Sequence, residues 1–277
     1  MRVTVVQMNS RDDKAANLER ARTLLERAIA RERPDLVALP ETFTFLGGSR
    51  EAKFAAAETF PDGEAYGMLR EIARRHGLFV HGGSMIERTV DGLYNTTVVF
   101  DRDGREIARY RKIHLFDVVT PDGRAYRESD VFCRGREVVS VEVEGVRLGL
   151  SICYDLRFGE LYLRLAEAGA EVLLVPAAFT LQTGKDHWEI LLRARAIETQ
   201  CYVLAPAQWG PYPTAGETRW NYGHAMIVGP WGHVLAQVPD GEGFATAELD
   251  FAALRRIRRE LPVAAHRVAE LRVPASL

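Results

Sequence analysis

The sequence lacks the cysteine content that would suggest a disulfide-stapled or metal-binding protein. It holds only 3 cysteines in 277 residues. Cys133, Cys153 and Cys201 are widely separated, odd in number and without the paired spacings of zinc sites. We therefore expect no metal centre, free thiols and a reducing, cytoplasmic location.

Charge of one sign is not in excess either. The 36 Lys and Arg residues balance 38 Asp and Glu residues, which gives a formal net charge of −2. This balance excludes a general attraction to nucleic acid or to an anionic membrane. The apolar start, residues 1–7, is too short to span a bilayer and has no signal cleavage pattern. We expect a small-molecule partner, with no nucleic acid and no membrane.

Glycine-rich phosphate loops and flexible linkers are also absent from the sequence. The pairs Gly47-Gly48 and Gly82-Gly83 are too short to cradle a phosphate, and residues 241–243 resemble a hairpin turn. We expect no organic cofactor. No segment rich in Pro, Gly or Ser divides the chain, so we expect one domain over residues 1–277.

What is present is an alternation of strand and helix patterns. Residues 2–7 read as a strand, 17–33 as an amphipathic helix and 36–39 as a buried strand. The pattern predicts an α/β fold in which two mixed sheets share a core. The longest stretch predicted to be irregular is 210–221. Further predicted elements are helices at 64–76, 159–168, 186–199 and 251–261, hairpins at 95–110 and 138–152, and strands at 78–82, 172–175, 202–207, 225–228, 234–238 and 244–249.

Three reactive side chains each follow a predicted strand. Glu41 follows 36–39, Lys112 follows 106–110 and Cys153 follows 146–152. Strand ends at the carboxyl edge of an α/β sheet form the ligand crevice, so we expect these side chains to meet there. A thiol is nucleophilic as its thiolate, a carboxylate can accept its proton, and a nearby cation lowers its pKa. The set predicts a cysteine nucleophile with Glu41 as base and Lys112 as activating charge.

The segments that carry these residues resemble the three signature motifs of the nitrilase superfamily of carbon–nitrogen hydrolases. They read Leu-Pro-Glu-Thr-Phe at 39–43, Tyr-Arg-Lys-Ile-His-Leu-Phe at 110–116 and Ser-Ile-Cys-Tyr-Asp-Leu-Arg-Phe at 151–158. The resemblance implies a four-layer α-β-β-α sandwich, commonly dimeric, with a Glu-Lys-Cys triad that hydrolyses amides. One departure is Gly159, where relatives commonly carry proline.

The resemblance also implies further site residues. Glu128, between the lysine and cysteine motifs, matches a second glutamate that the superfamily often uses in catalysis. The backbone N–H of Tyr154 matches an oxyanion donor. We add Phe179, Lys185 and His187 as candidate substrate-binding residues, and Arg157 as a cation that either binds substrate or pairs with a buried acid.

Within the superfamily, the segments at 112–118, 187–189 and 197–203 most resemble amidases that hydrolyse deaminated glutathione. The resemblance implies hydrolysis to 2-oxoglutarate and cysteinylglycine. The neighbouring ω-amidases, which act on 2-oxoglutaramate, stay open as an alternative, as do other small-amide or carbamoyl hydrolases of the superfamily. Lys185-Asp186 replaces small residues usual in that branch.

Other readings of the same residues remain open at this point. A Cys-His hydrolase would use His114 or His187 as the base, and a scaffold that kept the fold would use none of these groups. A homodimer is expected from the resemblance and from an apolar C-terminal region. That region contains Leu254, Ile257, Leu261, Pro262 and Val263.

Overall fold

The computed structural model of the protein describes residues 1–214 and 216–268. Its helices are α1 (Lys14–Glu32), α2 (Arg50–Ala56), α3 (Glu64–His76), α4 (Gly159–Glu167), α5 (Leu181–Thr199) and α6 (Phe251–Glu260), with 3₁₀ turns at Glu128–Asp130 and Cys153–Arg157. Its strands are β1 (Arg2–Met8), β2 (Leu36–Ala38), β3 (Phe79–His81), β4 (Met85–Thr89), β5 (Gly92–Phe100), β6 (Glu106–Arg111), β7 (Asp117–Val119), β8 (Ala125–Arg127), β9 (Ser140–Val143), β10 (Val146–Leu150), β11 (Val172–Leu174), β12 (Tyr202–Ala205), β13 (Ala207–Thr214), β14 (Glu217–Tyr222), β15 (Met226–Val228), β16 (Val234–Gln237) and β17 (Gly243–Glu248).

Two mixed sheets organise these strands, as the sequence predicts. The first has the order β14-β13-β1-β2-β3-β5-β4, with β17 on β1 and β6 on β5. The second has the order β16-β15-β12-β11-β10-β9, and β7 and β8 form a small ribbon. The centres are parallel, through β13-β1-β2-β3 in one sheet and β10-β11-β12 in the other, whereas the remaining strand pairings of the two sheets are antiparallel.

The side-chain alternation of the strands sets the layers. In β2 and the residue after it, Leu36 and Ala38 enter a core shared with the second sheet, whereas Val37 and Leu39 enter the core under α1 and α3. Successive side chains of a strand point to opposite faces, so the first sheet is covered on both. In β10 of the second sheet, a Cβ at Gly149 would lie 3.2 Å from Leu165 of α4, so α4 covers the face opposite to that of Leu148 and Leu150. The result is the α-β-β-α sandwich.

Of the stretch predicted to be irregular, 210–221, residues 210–214 and 217–221 instead lie in β13 and β14, which pair antiparallel. Pro211 and Pro213 suggested a loop because proline interrupts strands. Their carbonyls bond to the Asn9 side chain and to the Gly48 N–H, which places them on the side facing away from β14. Proline is tolerated at such positions, because no ladder hydrogen bond is lost. Helix α2 and strands β4, β7 and β8 were also missed.

Three more features bear on the sequence predictions. Leu254 is fully buried in the chain's own core, so it is unavailable to a partner. The end of the apolar tail, 269–277, lies outside the described residues. Among the described residues, no helix is both long and apolar enough to cross a membrane.

Candidate active site

The structure brings Glu41, Lys112 and Glu128 into direct contact. The Lys112 Nζ lies 2.8 Å from Glu41 Oε1 and 2.8 Å from Glu128 Oε2. Only 2% of the Lys112 side chain is exposed. A buried ammonium needs such partners, because an unpaired charge is costly in a low-dielectric interior. The ammonium therefore lies between two carboxylates at the bottom of a pocket.

A buried amide fixes the two carboxylates relative to each other. Asn95 Nδ2 donates to Glu41 Oε1 at 3.0 Å and to Glu128 Oε1 at 3.2 Å. The backbone adds one donor to each acid: the Ala178 N–H to Glu41 and the Phe116 N–H to Glu128. Sequence reasoning missed Asn95, because a single asparagine within a strand gives no signal of a site.

Cys153 opens a 3₁₀ turn directly after the second sheet's β10. Its φ of +47° is in the left-handed region, which non-glycine residues seldom occupy. The Cys153 N–H donates to the Pro176 carbonyl at 2.9 Å, which holds this conformation. The side chain is 7% exposed and lines the same cavity as Glu41 and Lys112, whose charges both act on its thiol. The three predicted strand-end residues thus share one buried cluster.

Asp155 links the lysine and cysteine segments. Its carboxylate accepts from the Ile152 N–H at 2.8 Å, from the Tyr110 hydroxyl at 2.6 Å and from the His114 N–H at 3.0 Å. The His114 ring also contacts it, through Nδ1 at 2.7 Å. His114 is therefore bound to Asp155 rather than placed as the base for Cys153. The sequence showed Asp155 beside the cysteine but gave no hint of this role.

The electrostatics of the cluster differ from the expectation for the thiol. Burial and the Glu41 carboxylate raise the pKa of Cys153 well above its usual value, and Lys112 offsets only part of that effect. Burial alone would lower the pKa of Lys112, but Glu128, Glu41 and Cys153 together raise it well above its usual value. The resting cluster is therefore a neutral thiol beside a carboxylate that is paired with a charged ammonium.

The cluster forms the floor of a cavity of about 310 Å³. Tyr154 and Phe179, both predicted to bind substrate, lie in its wall. Lys185 and His187 are exposed on α5 and do not line it. Lys185 instead pairs with Asp186 at 2.6 Å, because the α5 face that carries it turns toward solvent. The structure thus brings two of these four candidates to the pocket.

Arg157 contacts neither a buried acid nor the cavity. Its guanidinium lies 3.3 Å from His187 Nδ1 and over the Phe179 ring at 5.4 Å. The buried arginine of this region is Arg195, which donates twice to the Leu156 carbonyl and so supports the turn after Cys153. Sequence reasoning missed that role, since an arginine within a helix looks solvent-exposed.

The outer wall of the cavity is cationic. Lys53 of α2 and Arg219 of β14 line it, together with Arg127 at the end of β8. Arg219 lies over the Tyr126 ring at 4.1 Å and donates to Glu217. Neither Lys53 nor Arg219 was a candidate from the sequence, because both lie in segments without a recognisable pattern.

Within the described residues, no group of three or more His, Cys, Asp or Glu side chains is arranged to hold a metal ion. The cavity offers one thiol, two acids and four cations, which are groups suited to acid–base and nucleophilic chemistry.

Comparison with known proteins identifies the family to which the chain belongs. The family model described as carbon-nitrogen hydrolase matches residues 2–259. The chain is 43% identical, over 95% of its length and 96% of the relative's, to "Deaminated glutathione amidase" of Synechocystis sp.. It superposes on Saccharomyces cerevisiae Nit3, of branch 10 of the nitrilase superfamily, with a TM-score of 0.86 at 31% identity, covering 96% of each chain. The Caenorhabditis elegans NitFhit structure gives a TM-score of 0.90 at 39% identity over 98% of this chain and 66% of that one. The chain belongs to the carbon–nitrogen hydrolase family.

Proposed function

We propose that the protein hydrolyses a linear amide through a thioester at Cys153, with Glu41 as general base and Lys112 as fixed positive charge. The observation that carries this proposal is that one buried thiol lines the same cavity as a buried, directly paired ammonium and carboxylate. The family membership of the chain supports the same chemistry.

The first step is attack by the thiol on the amide carbonyl carbon. The raised pKa of Cys153 means that the thiol is protonated at rest, so its proton passes to Glu41 as the carbon–sulfur bond forms. The backbone N–H of Ala178 and the Lys112 ammonium hold Glu41 in place for this transfer. Deprotonation of the thiol therefore depends on Glu41 as the base, because the charge of Lys112 alone does not offset the raised pKa of Cys153.

The carbonyl oxygen becomes an oxyanion in the tetrahedral intermediate. We assign its stabilisation to the Lys112 ammonium and to the Tyr154 N–H, because N–H groups in the first turn of a helix have no acceptor within it. Preorganised donors of this kind contribute strongly when water is excluded. The low exposure of Lys112 supports this assignment.

Collapse of the intermediate breaks the carbon–nitrogen bond and leaves the acyl group on Cys153. Glu41 gives its proton to the departing amine and then takes one from the water that attacks the thioester. Glu128 positions Lys112, and through Asn95 it also orients Glu41. As the carbon–sulfur bond breaks, Glu41 returns the proton taken from water to the sulfur, so the products are a free amine, a carboxylic acid and the regenerated Cys153 thiol.

For the substrate we infer deaminated glutathione, hydrolysed to 2-oxoglutarate and cysteinylglycine. The support is that relatives named deaminated glutathione amidase are 40–43% identical to this chain over nearly its whole length. The alternative is an ω-amidase acting on 2-oxoglutaramate, which has the same acyl group and releases ammonia. Tyr154 and Phe179 are the proposed wall around the acyl chain.

The test compares kcat/KM on deaminated glutathione and on 2-oxoglutaramate. We expect the first to be the better substrate, and a matched Cys153→Ala protein controls for contaminating amidases. A rate at least tenfold higher on 2-oxoglutaramate, about 1.4 kcal/mol in transition-state binding, would assign the ω-amidase activity instead. No turnover on either would move the substrate elsewhere among small amides.

We also propose how the chain is organised and where it works. We propose that residues 1–277 act as one domain, because the core between the two sheets is continuous. We propose a homodimer, supported by exposed apolar side chains at Ile190, Ile197, Trp231 and Leu235, and a reducing, cytoplasmic setting, supported by three free thiols. Light scattering tests the dimer: twice the 31.0 kDa chain mass is expected, and a 31.0 kDa particle at micromolar concentration would contradict it.

A further inference from the structure

We propose that Lys53, assisted by Arg219, binds a carboxylate of the substrate at the outer wall of the cavity and so selects acidic amides over neutral ones. The proposal rests on the proposed amide hydrolysis and adds a binding role to a residue outside the catalytic cluster. Both side chains line the cavity whose floor holds Cys153.

The fold brings these two cations together from distant parts of the chain. Lys53 lies on helix α2, and Arg219 lies on the β13–β14 hairpin. The glycine pair 47–48, just before α2, packs on that hairpin. Gly47 has a φ of +90°, and a Cβ there would lie 2.0 Å from the Pro213 carbonyl oxygen. The Gly48 N–H donates to that same carbonyl at 3.2 Å. This close contact joins the two segments into one wall.

The charges of the wall are not balanced by its own acids. The Lys53 ammonium forms no ion pair or hydrogen bond with any residue in the described part of the chain. Arg219 has Glu217 as a partner, while the two acids on the cavity floor are already bound to Lys112. Four cationic side chains and two carboxylates line this cavity, and counting Glu217 against Arg219 leaves an excess of one positive charge.

The electrostatic surroundings of Lys53 favour the binding of an anion. Burial lowers its pKa, the Glu128 carboxylate opposes that effect, and the charge of Arg219 adds to it, with a net lowering. Two cations that repel each other at a half-buried wall are stabilised together when an anion binds between them. An ammonium and a guanidinium are the side chains that carboxylates pair with most strongly.

The side chains around Lys53 and Arg219 suit a substrate that carries its carboxylate on an apolar carbon chain. Phe45, Phe132 and Tyr212 line the same cavity and are buried. They offer contact to methylene groups, while the two cations offer charge at the wall. Deaminated glutathione has two carboxylates, one on its 2-oxo acyl part and one on the leaving dipeptide. Either fits this chemistry, and the experiment distinguishes them.

The experiment measures kcat/KM of the wild type, Lys53→Met and Lys53→Arg on three amides. Deaminated glutathione has both carboxylates, 2-oxoglutaramate has only the one on the acyl part, and propionamide has none. Lys185→Met is the matched control, because Lys185 is exposed and lies outside the cavity. We expect Lys53→Met to lower the ratio of kcat/KM on an acidic amide to kcat/KM on propionamide by about 10- to 100-fold, as for a lost charge-assisted hydrogen bond. Lys53→Arg restores much of the ratio, and Lys185→Met leaves it within about twofold.

Each outcome decides the proposal. A ratio that falls for both acidic amides assigns Lys53 to the 2-oxo acid carboxylate, and one that falls for deaminated glutathione alone assigns it to the leaving dipeptide. A ratio that falls for neither, or an equal loss on propionamide, overturns the proposal. If the wild type hydrolyses none of the three, the proposed function fails separately. Calorimetry with unhydrolysed deaminated glutathione then decides: weaker binding by Lys53→Met supports the carboxylate site, and equal binding overturns it.

Discussion

Two lysines of one cavity show how differently the same side chain can be used. Lys112 on the floor is 2% exposed and contacts two carboxylates, whereas Lys53 on the wall is half-buried and has no ion pair among the described residues. Burial acts on both, yet the pKa of Lys112 is raised and that of Lys53 is lowered. The difference comes from the neighbouring carboxylates. The floor is electrostatically complete without substrate, and the wall is not.

The largest expected effect comes from Lys112→Met. We expect kcat/KM to fall about 100- to 1000-fold on every amide, because an oxyanion donor is lost. The free energy of unfolding should also fall by about 3–5 kcal/mol, because Glu41 and Glu128 lose their buried partner. In Lys53→Met, by contrast, the free energy of unfolding should change by less than about 1 kcal/mol. Urea unfolding of both variants measures this difference. Similar losses of stability in the two variants would remove the distinction between floor and wall.

A second prediction concerns Asp155→Asn, which weakens the link between the lysine and cysteine segments. Asparagine cannot accept all of the bonds that Asp155 accepts, so both segments lose their fixed spacing. We expect kcat to fall about 10- to 100-fold with little change in KM, since misplacement by about 1 Å has effects of this size. Tyr110→Phe, which removes one of these bonds, is the milder control. A change confined to KM would show that Asp155 does not position the reacting groups.

A third prediction concerns the thiol itself. Because burial and Glu41 raise the pKa of Cys153, its alkylation should be slower than that of free cysteine at pH 7 and should accelerate as the pH rises. Glu41→Gln removes a negative charge, lowers the pKa of Cys153 and should speed alkylation at least about tenfold while turnover is lost. A Cys153→Ala sample gives the background from Cys133 and Cys201. Slower alkylation in Glu41→Gln would contradict the assigned electrostatics.

The smallest effect on turnover at neutral pH is expected from His81, a buried group without a charged partner. Burial lowers the pKa of His81 to about 3, and its Nδ1 accepts from the Gly83 N–H. The unfolded chain has the ordinary histidine pKa of about 6.5, so it binds a proton that the folded chain refuses. Stability is therefore lost as the pH falls from about 6.5 toward 3, by about 1.4 kcal/mol per pH unit. Unfolding of His81→Gln should lack this part of the slope, and an identical slope would refute the assignment.

Much of the fold was predictable because the apolar patterns of the sequence and its helix-ending and turn residues indicate the same elements. Helix α3 begins and ends at the predicted residues, where Gly77 with a φ of +63° ends it. The buried strands β2 and β11 are apolar runs bounded by turn signals. The sequence also indicated Glu41, Lys112 and Cys153, because each lies within two residues of the end of a predicted strand.

The wall of the cavity was not predictable, because it depends on contacts across the whole sequence. Lys53 lies in a helix of seven residues, too short for a periodic pattern. It faces the cavity because the Gly47 and Gly48 backbone packs on Pro213. Pro213 belongs to the β13–β14 hairpin, whose prolines made the sequence resemble a loop. Lys185, by contrast, looked well placed near a motif but lies on the exposed face of α5.

The central claim is that Cys153 is the nucleophile, and turnover of deaminated glutathione by Cys153→Ala tests it most directly. Circular dichroism and thermal unfolding confirm that the variant is folded, and Cys133→Ala serves as a thiol-loss control. We expect kcat to fall by about 10⁴-fold or more in Cys153→Ala, as when other nucleophiles are removed, while Cys133→Ala keeps wild-type turnover. A folded Cys153→Ala protein that retains kcat within about tenfold of the wild type would contradict the account.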